Sequence, residues 1–187
     1  MPRNSDRHNP MNLKSAFLFL TMTAATCNAQ DSGNSNHQME VVKKPLRVDT
    51  SEVLPVSAEA VWKLIAGFDT LPDYHASITS SELSEGGTVR KIGLTEPAGG
   101  GHVVERLVYF NDETREFSYK IIDLIGCRFP LRNYQAYVRL EKIDEKSCRL
   151  HWGSVFTVEG ATEQEGDELA KVIYQGCYDG IRRVLVK

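Results

Sequence analysis

Thr162-Glu163-Gln164-Glu165-Gly166-Asp167-Glu168-Leu169-Ala170-Lys171-Val172-Ile173-Tyr174-Gln175-Gly176-Cys177-Tyr178-Asp179-Gly180-Ile181-Arg182-Arg183-Val184-Leu185-Val186-Lys187 closes the chain and reads as one long amphipathic helix. Thr162 to Glu165 has the form of a capping box, in which threonine and glutamate satisfy each other's exposed backbone N–H groups. Glu163, Glu165, Asp167 and Glu168 load the first turns, and Arg182, Arg183 and Lys187 the last, as the helix dipole favours. Leu169, Ile173, Cys177 and Val184 fall near one face, so the helix needs an apolar partner.

That partner lies upstream. Residues 46–56 alternate and predict a strand. Ser57 offers an N-cap for a short helix over 58–68 with Val61, Trp62, Ile65 and Phe68 on one stripe,. Gly67 and Leu71-Pro72-Asp73-Tyr74 break it into a turn or a second short helix. Six further strands follow, over 78–83, 88–94, 102–110, 115–124, 134–143 and 148–158. Short polar turns between them favour antiparallel hairpins. The expected class is α+β: a curved antiparallel sheet of about seven strands, two short helices after the first strand, and the last helix packed into the concave side, which buries both apolar faces.

The first thirty residues differ in character. Lys14 precedes an apolar run from Ala16 to Ala25, then Thr26-Cys27-Asn28-Ala29. Residues 1–29 read as a secretory signal peptide, too short in its apolar part to span a bilayer. Acylation at Cys27 is the lipoprotein alternative. Residues 30–45, rich in Gln, Ser, Asn and Gly, read as a flexible linker, leaving 46–187 as the domain. An exported protein is expected, periplasmic or secreted. The net charge of −3 argues against a nucleic-acid partner. Cys127, Cys148 and Cys177 permit at most one disulfide and otherwise serve as small apolar filler. They form no metal-ligand spacing, and no cofactor is expected.

Alternation places Phe117, Tyr119 and Ile121 on one face of their strand, and Tyr134, Ala136, Val138 and Leu140 on one face of theirs,. Val103, Glu105, Leu107 and Tyr109 share a face, with Glu105 the odd member of an apolar set. A carboxylate so placed needs a partner, a ligand or a proton. Arg90, with Ile92 and Leu94 on the neighbouring strand, is the partner in reach. Glu105 is thus a ligand contact or an acid/base; a structural pair with Arg90, or a register that turns Glu105 to water, is the plainer alternative. The pocket walls expected are Arg90, Ile92, Glu105, Leu107, Phe117, Tyr119, Ile121, Tyr134, Ala136, Val138, Leu169, Ile173 and Cys177. The loop 95–101, with Glu96, Pro97 and Ala98 ahead of three glycines, is either a gate over the pocket or a flexible connection. Gly176 and Gly180 either leave room for a ligand or allow close packing. His75, His102 and His151 read as partly exposed polar residues. Tyr119, Tyr134 and Tyr178 are candidates to hydrogen-bond a ligand or to fill core space.

The element order, with Val56-Ser57-Ala58-Glu59-Ala60-Val61-Trp62, Gly87-Thr88-Val89-Arg90 and Val104-Glu105-Arg106-Leu107, resembles the START/birch-pollen-allergen (SRPBCC) superfamily and its polyketide cyclase/dehydrase-like group. The resemblance implies a helix-grip fold around a hydrophobic cavity. Glu105-Arg106-Leu107, Asn111-Asp112-Glu113 and Leu131-Arg132-Asn133-Tyr134 are also similar to the plant abscisic-acid receptors. Those have a Pro-Ala gate, matched in part by Pro97-Ala98, and a His-Arg-Leu latch, replaced here by Phe129-Pro130-Leu131. The receptors' carboxylate-binding lysine falls at Thr79. These departures argue against abscisic-acid sensing and leave Glu105 and Tyr134 as polar contacts of a related pocket. The implied function is to hold an apolar or amphipathic small molecule, such as a lipid, isoprenoid or aromatic metabolite. A cyclase or dehydratase using Glu105 or a pocket tyrosine is the second reading. Docking on a partner protein, or a homodimer, is the third.

Overall fold

The structure is a computed structural model that describes residues 43–186; the signal-peptide reading at 1–29 and most of the linker reading lie outside the described residues. Strand β1 (Leu46–Leu54) is followed by helices α1 (Ala58–Ile65) and α2 (Leu71–Tyr74). Strands β2 (Ile78–Ser84), β3 (Val89–Leu94), β4 (His102–Asn111), β5 (Glu116–Ile125), β6 (Leu131–Lys142) and β7 (Cys148–Val158) come next, and helix α3 (Glu163–Leu185) ends the chain. The seven strands form one antiparallel sheet in the order β1-β7-β6-β5-β4-β3-β2. This is the helix-grip arrangement, with α3 against the inner face.

The local reasons are those of the sequence. Ser57 Oγ accepts from the Ala60 N–H, capping α1, and Thr162 and Glu165 close the capping box of α3. Each satisfies N–H groups that the first turn leaves without a partner.

Bulges bend the sheet around the helix. The extra residue Val108 on β4 breaks the simple alternation, so Leu107 pairs with Tyr119 and Phe110 with Phe117. Tyr109 was expected to point inward with Glu105; it is exposed instead. Phe110 turns toward the inner side, where it stacks on Trp62 at 5.7 Å while staying 43% exposed at the margin of the core. A bulge between Arg132 and Gln135, with Asn133 at φ 51, keeps both Leu131 and Tyr134 inside.

The buried stripe of α3 is also turned from the expected one. It runs through Gly166, Ala170, Tyr174, Cys177, Tyr178, Gly180 and Ile181. Leu169 and Ile173 lie half-buried at its margin, and Val184 is exposed. Aliphatic residues alone mislead here, because the seam is built from small residues and tyrosines that let the helix sit close to the sheet. None of the helices among the described residues is long and apolar enough to cross a membrane.

Candidate functional site

Arg90 and Glu105 are direct cross-strand neighbours on β3 and β4. Their side chains are only 4% and 8% exposed, and Nη2 lies 2.6 Å from Oε2. Arg90 Nε also donates to Oε2 at 2.7 Å, and Nη1 donates to the Phe68 carbonyl at 2.9 Å. The guanidinium lies over the rings of Phe68 at 4.2 Å and Tyr119 at 4.8 Å, contacts that strengthen when water is excluded. Burial pushes the Glu105 carboxyl above the usual carboxylate range, and Arg90 opposes that shift without cancelling it.

From this pair an aromatic row crosses the inner face. Phe117 and Tyr119 stack at 6.1 Å, Tyr119 and Tyr134 meet at 6.4 Å, and Tyr134 stacks on Phe156 at 6.1 Å. Trp152 stacks on Tyr174 of α3 at 6.2 Å. The polar tips pair inside the protein. Tyr134 and Tyr174 share a hydroxyl–hydroxyl bond of 3.0 Å, and Tyr174 donates onward to Ser154 Oγ. Trp152 Nε1 donates to the Tyr119 hydroxyl at 3.2 Å, and Tyr178 bonds Thr50 at 2.8 Å. Burial raises the Tyr119 and Tyr134 phenols well above their ordinary value and pushes Tyr174 up to about 12. These groups are therefore neutral hydroxyls near pH 7, fit to exchange hydrogen bonds but not to act as phenolate bases.

The expected wall residues come together on this face. Arg90, Ile92, Glu105, Phe117, Tyr119, Tyr134, Ala136, Val138 and Cys177 are buried, while Leu107, Ile121, Leu169 and Ile173 are partly buried against the same core. Cysteines 127, 148 and 177 are free thiols. Sequence reasoning passed over Trp152, Ser154 and Phe156, although alternation from Cys148 to Val158 would have found them. It also passed over Tyr174, one position from Ile173.

The loop of Glu96, Pro97 and Ala98 forms one 3-10 turn. It is tied to its surroundings by Thr95 N–H to Ser77 O at 3.0 Å and Arg128 N–H to Gly99 O at 3.3 Å. Gly99, Gly100 and Gly101 all have positive φ, and a Cβ at Gly101 would lie 2.4 Å from Ile125 O. Backbone geometry thus accounts for the glycines.

His75 is buried rather than partly exposed. Its Nδ1 accepts from the Ser77 N–H at 3.2 Å and its Nε2 lies 3.2 Å from the Ile173 carbonyl of α3. This fixes the neutral tautomer with the proton on Nε2, and desolvation lowers its pKa from 6.5. The unfolded chain takes up this proton first as pH falls, so the stability His75 contributes is present above about pH 6.5 and shrinks below it. Urea midpoints are expected to drop from about pH 7.5 to about pH 5.5, and to drop less in His75→Gln. Equal slopes in both proteins would remove His75 from the pH response.

An antiparallel sheet gripping a long helix, with an aromatic and partly polar interior, defines a helix-grip protein. The chain belongs to the family described as polyketide cyclase / dehydrase and lipid transport, whose model matches residues 45–185. An uncharacterised protein of Bacillus thuringiensis is 30% identical with a TM-score of 0.69, over 76% of this chain and 100% of that one. The protein XoxI of Bacillus cereus is also 30% identical with a TM-score of 0.69, over 75% and 96%. The Zhui aromatase/cyclase of Streptomyces sp. R1128 shares the fold at 14% identity and a TM-score of 0.59, over 76% and 98%. No curated protein matches the sequence.

Proposed function

We propose that this protein binds an apolar or amphipathic small molecule between the inner sheet face and α3, and that it is exported. The observation that carries the binding reading is the buried Arg90–Glu105 pair set in the aromatic row. Stability alone is a poor reason for it, since a buried ion pair replaced by well-packed apolar residues is often neutral or stabilising by about 1–4 kcal/mol. Aromatic faces suit a flat or ring-bearing ligand, and the pair gives such a ligand one polar end to orient against. Native mass spectrometry of the protein purified from an exporting host is expected to show a bound mass of lipid, isoprenoid or aromatic size on a chain lacking residues 1–29. A ligand-free chain that also gives no thermal shift with a lipid and polyketide panel would sink the binding reading; an intact leader would sink export.

The second reading is a cyclase or dehydratase, and the upward shift of Glu105 favours it. A carboxyl that holds its proton more tightly than usual suits general-acid catalysis better than an exposed one, and an aromatic surface would fold a chain-like substrate near it. Glu105→Gln with unchanged turnover removes Glu105 from catalysis.

A further inference from the structure

We infer that the Ser81 hydroxyl is a hydrogen-bonding contact for an uncharged oxygen function, a hydroxyl or a carbonyl, on the ligand; this rests on the small-molecule-binding reading above. The inward polar groups otherwise find partners within the protein. Arg90 holds Glu105. Tyr134, Tyr174 and Ser154 form a chain, and Tyr119 takes the Trp152 N–H. Among the described residues, two buried side-chain oxygens have no hydrogen-bond partner, Glu52 Oε1 and Ser81 Oγ. Glu52 Oε1 faces Arg182 as an ion pair. That leaves Ser81.

Its position is on the site's own face. Ser81 sits directly opposite Ile92 on β3, and Leu83, two residues on, sits opposite Arg90. Ile92 in turn pairs with Val103, and Arg90 with Glu105. Residues paired this way share a face, so Ser81 and Leu83 continue the inner surface onto the edge strand. Leu83 is 44% exposed there, so the inner face reaches solvent along β2. A buried hydroxyl without a partner is costly and needs an explanation. A ligand whose oxygen function reaches β2 supplies the missing bond. The cation on this face, Arg90, is already neutralised by Glu105. A carboxylate or phosphate would meet no free positive charge from that pair, which favours an uncharged oxygen.

Naphthalene and 2-naphthol differ by one hydroxyl and suit the aromatic row, so their affinities isolate the contact. Titration followed by tryptophan fluorescence is expected to give 2-naphthol binding about tenfold tighter than naphthalene in the wild-type protein. Ser81→Ala should close that gap to less than about twofold. Ser81→Thr, which keeps the hydroxyl on a strand-favouring side chain, should retain the gap. A gap that survives Ser81→Ala, or equal binding of both compounds to wild type, overturns the inference and leaves the binding reading standing. Wild-type protein that binds neither compound also overturns the inference, while the binding reading is decided by the native mass spectrum and the lipid and polyketide panel.

Discussion

Arg90→Met alone is expected to destabilise the protein by about 3–5 kcal/mol, whereas Arg90→Met combined with Glu105→Leu costs far less than the sum of the single changes. The single substitution strands a carboxylate that is 8% exposed and leaves the Phe68 carbonyl without its donor. The double substitution removes the stranded charge and fills the space with apolar volume. Urea denaturation of the two single variants and the double gives the coupling energy directly. Additive losses would mean that the two groups do not act as a pair. The exposed Arg106–Glu85 pair, at 2.7 Å on the surface, serves as the control and should show no measurable coupling, because water and salt screen it. The expected contrast follows from burial and not from distance, which is nearly the same in both pairs.

Gly180→Ala is expected to cost about 3 kcal/mol or more, against the sign of helix propensity. A glycine inside a helix is less favourable than alanine by about 1 kcal/mol, so local preference alone predicts a gain. At this position a Cβ would lie 1.5 Å from the Tyr74 carbonyl oxygen, and backbone cannot rotate away as a side chain can. The same carbonyl accepts from Arg183 Nη2 at 3.3 Å, which fixes α2 against α3 at this crossing. Gly176→Ala meets the His75 ring at 2.8 Å and should cost less, because the obstacle is a side chain. Thermal melts of the two variants test the order. A Gly180→Ala protein as stable as wild type would show that α2 can move off α3, and the close-packing account of this glycine would fail.

Much of the site is legible in the sequence. Alternation put Tyr134, Ala136, Val138 and Leu140 on one face, and all are buried. The odd carboxylate Glu105 and its partner Arg90 stood out because a charge in an apolar pattern needs an answer. Alternation failed at Tyr109, where Val108 bulges and turns Phe110 toward the inner side. It could not locate His75 either, since a histidine at the end of a short helix carries no periodic signal. Ser81 was equally silent: whether a serine hydroxyl has a partner depends on atoms far away in sequence.

The chain by itself determined the element order, the capped C-terminal helix, the α+β class and the apolar face of each regular strand, because these follow from short-range periods and end signals. Tertiary structure alone decided which side of α3 meets the sheet, why Gly180 must be glycine, and how the inward hydroxyls beyond the Arg90–Glu105 pair are partnered. Those depend on bulges that reset the strand faces and on backbone approaches between segments about a hundred residues apart, such as Tyr74 and Arg183, distances over which local pattern carries no information.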